Sequence, residues 1–262
     1  MLGHGPQRAG TLVPIRNPGL PPTLMTEEPR HRNVRSFVKR AGRTTRAQHR
    51  ALSELMSVYG VDDCTRPLTG PGIFKRDAAL VMEIGFGNGE TLAELALNHP
   101  EKDYLGIEVH EPGIGHLLLQ LQRHEIKNVR VIRGDAVEIL RRDIADGSLD
   151  EVLILFPDPW PKKRHHKRRL VQPAFLDLLA AKIKTGGSLQ MATDWEPYAE
   201  HMMQTVADSR WFDNVRRDQG FTPRPDRRPT KFERRGQRLG HRVWDLQCKR
   251  NGIDAPRTAD ER

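Results

Sequence analysis

With 262 residues, 37% of them hydrophobic, and a formal net charge of +9, the chain suits one full-sized domain with a tail, or two small ones, with an ordinary core under a basic surface. Its two cysteines, Cys64 and Cys248, exclude a disulfide framework and a cysteine-rich zinc site, no apolar run reaches the roughly 18 residues of a membrane span, and the first 25 residues lack the apolar core of a secretory signal. A soluble, cytoplasmic protein with buried free thiols, no metal and no membrane contact is expected. The basic excess favours phosphate-rich partners through counterion release, with solvated charge alone as the bland alternative, and charge does not separate RNA, DNA or a membrane face.

Residues 1–32 are rich in proline and glycine and poor in bulky apolar groups, so a disordered tail is expected there. The segment 33–60 turns basic, with Arg35, Lys39, Arg40, Arg43, Arg46 and Arg50, and ends in a helix from Ala47 to Tyr59 with Ala51, Leu55 and Val58 on one face. Such an arm either clasps nucleic acid or is a solvated lead-in. From Ala78 the pattern changes to alternating strand and helix over the domain expected at 61–250. The run Ala79 to Ile84 suits a strand buried on both faces, Gly85-Phe86-Gly87-Asn88-Gly89 turns the chain, and a helix from Glu90 to Asn98 follows. Further strands are predicted at Tyr104–Val109, Val129–Ile132, Glu151–Phe156, Ser188–Thr193, Trp211–Arg217 and His241–Cys248. The intervening helices carry Ile114, Leu117, Leu118 and Leu121, then 136–142, then Phe175 to Ile183, then 195–208. A second disordered tail is expected over 251–262.

This alternation predicts an α/β fold, a doubly wound, mostly parallel seven-stranded sheet with helices on both faces. Ligands of such a sheet bind beyond the carboxyl ends of its strands. Glu83, Glu108, Asp135, Asp158 and Asp194 all sit at such ends. The spacing Gly85-x-Gly87-x-Gly89 differs from the GxGxxG of a dinucleotide site, and Glu83 just before it would crowd a pyrophosphate. A cofactor with a cationic end and no phosphate suits an acidic glycine loop better, which points to S-adenosylmethionine. Glu83 can then serve the methionine end, Glu108 the ribose hydroxyls and Asp135 the adenine amino group. The structural alternatives are a turn-stabilising acceptor at Glu83 and a helix N-cap at Asp135.

After the fourth strand comes Phe156-Pro157-Asp158-Pro159-Trp160-Pro161, then Lys162 to Arg169, in which six Lys/Arg and two His occupy eight residues. A proline-stiffened carboxylate beside a basic ramp is the pattern of a catalytic loop that meets a polyanion. Trp160 is expected either to stack on a base or to pack under the loop. Thr193-x-x-Glu196 and Thr230-x-x-Glu233 both fit a helix capping box.

Together these segments resemble the bacterial tRNA (guanine-N7-)-methyltransferase family, which has a class I S-adenosylmethionine-dependent fold. The likeness spans roughly residues 33 to 248 and is carried by Arg35-Ser36-Phe37-Val38-Lys39-Arg40, the Glu83 to Gly89 loop, Gly106 to His110, Phe156 to His165, Thr193-Asp194-Trp195, Thr230-Lys231-Phe232-Glu233, Arg238 to His241 and Val243 to Leu246. By this resemblance Glu83, Glu108 and Asp135 with the glycines bind S-adenosylmethionine, Asp158 lies at the active centre, and residues 61–250 form the methyltransferase domain. Lys162, Asp194 and the segment Thr230, Lys231, Phe232 and Glu233 contact the tRNA, with Arg164, Lys167, Arg168 and Arg169 along its backbone. The implied reaction is methylation of a guanosine at N7 in the variable loop, by a monomer or homodimer.

Guanine N7 has a lone pair and no proton, so its methylation requires alignment, exclusion of water and stabilisation of the cationic product, but no general base. Asp158 is the expected charge stabiliser. The rival readings are a non-catalytic tRNA-binding protein on the same fold, a DNA-associated protein using only the basic run, and an NAD-dependent oxidoreductase, which the acid before the glycine loop disfavours.

Overall fold

A strand whose residues are apolar on both faces needs a layer of helices on each side, and the sheet is covered in that way. In β1 (Leu80–Ile84), Leu80, Met82 and Ile84 join the core on one face while Val81 joins the core on the other. The same alternation runs through β2 (Asp103–Glu108) and β4 (Leu149–Leu155). With β3 (Val129–Arg133), β5 (Ile183–Thr193), β6 (Phe212–Asn214) and β7 (Trp244–Arg250), they form one sheet in the order β3-β2-β1-β4-β5-β7-β6. The strands from β3 to β5 are parallel, and β7 runs antiparallel between β5 and β6. The computed structural model describes residues 36–37, 43–61, 67–225, 229–238 and 240–255, together with Met1, with the backbone alone at 231, 232 and 237. Apart from Met1, the tail expected over 1–32 lies outside the described residues, as do the arm residues Arg35, Lys39 and Arg40, Cys64, and 256–262 of the second expected tail.

Helices α1 (Arg46–Tyr59), α3 (Glu90–Asn98) and α4 (Glu111–Arg123) pack on one face; α5 (Ala136–Arg142), α6 (Pro173–Lys182) and α7 (Glu196–Ala207) pack on the other. A short α2 (Gly70–Phe74) and an α8 (Lys231–Arg238) complete the helices among the described residues. Two glycines set the packing distances. A Cβ on Gly106 in β2 would lie 2.7 Å from Leu92 and Phe86, so α3 and the glycine loop sit directly on the strand. A Cβ on Gly115 would lie 2.9 Å from the Gln48 carbonyl, so α1 and α4 touch backbone to backbone. The capping box between Thr45 and Gln48 starts α1 at that contact.

The chain crosses from β3 through α5 to β4, which places β4 on the far side of β1. The carboxyl ends of β1 and β4 therefore flank the point where the winding reverses, the usual ligand crevice of this architecture. Observed strands deviate from the predicted ones mainly at their ends: β5 begins at Ile183, directly from α6, and the last two strands are Phe212–Asn214 and Trp244–Arg250. Asn251 to Ala255, expected to open the second tail, are instead held to the body. The Arg250 guanidinium donates to the carbonyls of Asn251 and Ile253, and Ala255 packs on the core. Cys248 is a buried free thiol. No helix among the described residues is long and apolar enough to cross a membrane.

Candidate active site

The glycine loop is shaped by backbone that side chains resist. Gly85, Gly87 and Gly89 have φ of 73°, 58° and 73°, all in the left-handed region. A Cβ at Gly113 in the first turn of α4 would lie 2.1 Å from the Gly87 carbonyl, and one at Gly89 would lie 2.7 Å from Leu117. At Gly85, by contrast, no atom of the described residues beyond its chain neighbours lies within 4 Å of where a Cβ would stand. The bare main chain there forms a cradle at the end of β1. Gly89 is the N-cap of α3 without a side-chain cap, so the helix presents its first N–H groups at the loop.

Three carboxylates lie at the ends of β1, β2 and β3. Glu83 is 3% exposed and shares its sheet face with Val81, the face that α3 covers. Glu108 ends β2: its Oε2 accepts from Gly87 N at 2.9 Å, and its Oε1 accepts from Val109 N at 2.6 Å and His110 N at 2.9 Å. Those bonds fix the glycine loop against β2 while leaving Oε2 capacity for a further donor, since a carboxylate has about four acceptor directions. Asp135 caps α5 through Oδ1, which accepts from Val137 N at 2.9 Å; its Oδ2 has no partner among the described residues. The capping role expected as a structural alternative is therefore real, and it occupies one oxygen only.

Next to this half, β4 and β5 end at one level, because Phe156 N donates to the Ala192 carbonyl at 2.8 Å just past the last paired residues. Asp158 and Asp194 follow on neighbouring strand ends. The Asp158 loop carries two non-glycine residues with left-handed backbone, Phe156 at φ 55° and Trp160 at φ 46°. Such positions cost about 1–3 kcal/mol each and persist only where surrounding contacts hold them. Trp160 is held firmly. Its indole N–H donates to the Ser36 carbonyl at 3.0 Å, the Arg168 guanidinium lies 4.2 Å over its ring, and His165 meets it edge-on at 5.7 Å. Of the two roles expected for Trp160, packing is the one observed.

The basic run folds as a short 3₁₀ segment, Lys163–Arg168, with Lys162, Lys163, Arg164 and Lys167 exposed. Partial desolvation lowers the pKa of His165, and Arg164, Arg168 and Lys162 beside it act in the same direction. Arg169 departs from its expected place along a polyanion. It is 3% exposed, and its guanidinium donates to the carbonyl of Pro159 at 3.0 Å and to that of Pro197 at 3.3 Å, while lying 4.8 Å over the Tyr198 ring. Charge alone could not distinguish it from Arg168; only burial does. Burial also pushes the Tyr198 phenol up to about 12, and the negative charge of Asp158 acts in the same direction.

Helix α8 lies across both halves. Arg234 reaches Glu90, the first residue of α3, at 2.7 Å, while a Cβ at Gly236 would lie 3.0 Å from Asp194 Oδ2. His241 Nδ1 stands 3.6 Å from the same Asp194 oxygen. Helix α8 thereby links the start of α3 to the end of β5. Its start is the capping box predicted from sequence: Glu233 N donates to Thr230 Oγ1 at 3.1 Å and Thr230 N to Glu233 Oε2 at 3.2 Å. Glu233 is fully buried and also pairs with Arg224 at 2.8 Å, so its carboxylate braces this segment, contrary to an exposed contact with a polyanion. The side chains of Lys231 and Phe232 lie outside the described residues. Glu90, Arg234 and Gly236 carry no motif that marks them in the sequence, although the Thr230 box signals a helix there.

The other predicted box is absent. Thr193 Oγ1 accepts from Trp195 N at 3.3 Å, and α7 starts one residue later, capped by Trp195 with Pro197 in its first turn. A box from Thr193 to Glu196 would put Pro197 at the fourth helical position, where its missing N–H would forfeit the first intrahelical bond.

A seven-stranded sheet in this order, with a glycine loop and carboxylates at its strand ends, defines a class I methyltransferase. The crystal structure titled as 16S rRNA methyltransferase KamB shares the fold, with a TM-score of 0.50 and 14% identity over 74% of this chain and 99% of that one. A family model described as "Putative methyltransferase" matches residues 77–246. The tRNA (guanine-N(7)-)-methyltransferase of Nitrosococcus oceani is 53% identical over 84% of this chain and 92% of its own length. That of Alkalilimnicola ehrlichii is 52% identical over 84% and 93%. The chain belongs to the tRNA (guanine-N(7)-)-methyltransferase family.

Replacing Arg169 by Met keeps apolar bulk but leaves the Pro159 and Pro197 carbonyls without their donor. Urea unfolding is expected to show a loss of about 1–3 kcal/mol. Binding of S-adenosylhomocysteine by calorimetry is expected to stay within about twofold, because the glycine loop and its carboxylates, the expected cofactor site, stand on other strands. Loss of that binding would mean that the two halves are not separately built.

Proposed function

We propose that this protein transfers a methyl group from S-adenosylmethionine to N7 of a guanosine in the variable loop of tRNA. The observation that carries the reading is the placement of Asp158 at the end of β4. It lies beside the acidic glycine cradle of β1 and at the head of the exposed basic segment. The family membership supports methyl transfer to tRNA, and the layout supports where it happens.

The cradle fits the cofactor. Open main chain at Gly85 accepts a ligand against the backbone, and Glu83 at the same strand end suits an ammonium group. Glu108 Oε2 can take a ribose hydroxyl, and Asp135 Oδ2 an exocyclic amino group. When bound, S-adenosylmethionine supplies a sulfonium methyl that the N7 lone pair takes while the carbon–sulfur pair of electrons returns to sulfur. No proton moves, so no side chain need act as a base. Asp158 stabilises the positive charge that grows on the guanine ring, an interaction stronger in the transition state than before it. Asp158 and Asp194 can also accept from the base's N1–H and amino group, which orients N7. The target base must leave its place in the folded tRNA, at a cost of a few kcal/mol. Lys162, Arg164 and Lys167 offset that cost by gripping phosphates, whereas Arg169 acts from inside the loop.

The test is transfer from radiolabelled S-adenosylmethionine to unmodified tRNA, followed by aniline cleavage, which cuts at N7-methylguanosine. Cleavage within the variable loop is expected; label without such cleavage would place the methyl on another atom and sink the assignment. Asp158→Ala is expected to lower turnover by about 100-fold or more, the scale for a lost charge stabiliser, with unchanged cofactor affinity. Changing Lys162, Arg164 and Lys167 together to Gln is expected to flatten the dependence of log Kd for tRNA on log salt concentration, by roughly 0.7–0.9 for each phosphate no longer neutralised. An unaltered slope would make those charges solvated decoration.

A further inference from the structure

An extruded base needs a surface to rest on, and edge contacts from Asp158 and Asp194 leave its flat faces uncovered. Stacking on an aromatic side chain is the usual solution. The four tryptophans differ in what already occupies their rings. Trp211 is buried, with its N–H bonded to Asp177 at 2.7 Å and the Arg210 and Arg250 guanidinium groups over its ring. Trp244 is half-buried within β7 under Arg242. Trp160 has its N–H on Ser36 and a face under Arg168. Trp195 is 36% exposed, and among the described residues its indole makes neither a hydrogen bond nor a ring contact.

Trp195 is also the one at the right place. It follows Asp194 directly at the end of β5, level with the Asp158 loop through the bond from Phe156 N to the Ala192 carbonyl at 2.8 Å. Two residues further on, the Pro197 carbonyl is bound by the same guanidinium that binds the Pro159 carbonyl, at 3.3 and 3.0 Å. The backbone of Trp195 is fixed from both sides, by Thr193 Oγ1 on its N–H and by its role as N-cap of α7. A rigid backbone with an open ring suits a platform that must be ready before the base arrives.

We propose that Trp195 is the stacking platform for the extruded guanine, covering one face of the base while Asp158 and Asp194 hold its edge. This rests on the methyl-transfer reading given above. It adds a reason why the platform is an indole: N7 methylation makes the guanine ring cationic, and a cation is attracted to the electron-rich face of tryptophan more than to that of tyrosine or phenylalanine. The platform therefore favours the charged transition state over the neutral base, in concert with Asp158. Trp195 has this role without donating or accepting a proton.

The experiment compares Trp195→Ala and Trp195→Phe with wild type in three measurements. The first is the single-turnover rate of N7-methylguanosine formation at saturating tRNA. The second is binding of S-adenosylhomocysteine. The third is quenching of tryptophan fluorescence when unmodified tRNA is added in the presence of S-adenosylhomocysteine. The Ala variant is expected to react about 10- to 100-fold more slowly, and Phe to recover most of that loss, with cofactor affinity within about twofold in both. Wild type minus Trp195→Phe is expected to give a quenching difference assignable to this indole. The proposal is overturned if the Ala variant reacts at the wild-type rate, if Phe is as slow as Ala, or if the quenching is the same with and without Trp195. Absence of N7-methylguanosine in the wild-type reaction would instead overturn the methyl-transfer reading, and the fluorescence arm still reports whether a base reaches the ring.

Discussion

One buried guanidinium joins the parts that the proposed chemistry needs together. Removing a charge from water is costly unless its donors are satisfied, and Arg169 meets that condition with the carbonyls of Pro159 and Pro197 and the face of Tyr198. The bonds are directional, and they tie the Pro159 carbonyl of the loop after β4 and the Pro197 carbonyl in the first turn of α7 to the same side chain. The loop after β4 and the first turn of α7 are thereby fixed to one group. Asp158 stands next to one of these anchor points and Trp195 near the other. The left-handed conformations of Phe156 and Trp160 are tolerated because this anchor, the Ser36 carbonyl and the strand register hold them from three sides.

The sheet supplies the second constraint. Its order puts β1, with the glycine cradle, beside β4 and then β5, with the two aspartates. The proposed cofactor half and substrate half are thus adjacent strand ends and require no domain movement to meet. Their chemistry differs in the same sense as their sequence. The cofactor half is carboxylate and bare backbone, suited to a cationic ligand; the substrate half pairs carboxylates with a fringe of exposed lysine and arginine, suited to a base on a phosphate chain. Helix α8 links the two through Arg234 on Glu90 and Gly236 beside Asp194.

Much of this was legible in the sequence because it depends on local pattern. Two-sided burial writes continuous apolar runs such as Leu80 to Ile84, and a reversal of chain at each strand end leaves a glycine or a carboxylate there. The helices at 90–98 and 136–142 were placed to the residue for the same reason. What could not be read depends on distant contacts. Arg168 and Arg169 are chemically alike, and their fates separate only because one meets Trp160 and the other two carbonyls and Tyr198. Trp160 and Trp195 each sit beside an aspartate, and the choice between them is made by Ser36, 124 residues from Trp160. Helix α8 is so polar that its capping box was its only sign. The failure of the Thr193 box was readable after all, since Pro197 forbids it.

In this arrangement Arg169 acts by placing the Asp158 loop, a role that a double-mutant cycle separates from an independent one. Single-turnover methyl transfer is measured for wild type, Arg169→Met, Asp158→Asn and the double variant. If the guanidinium works through the loop, the double variant loses at least about tenfold less than the product of the two single losses, since a misplaced loop matters little once its carboxylate is neutral. Losses that multiply to within about twofold would show that the two residues act independently and that the guanidinium does not work through the loop.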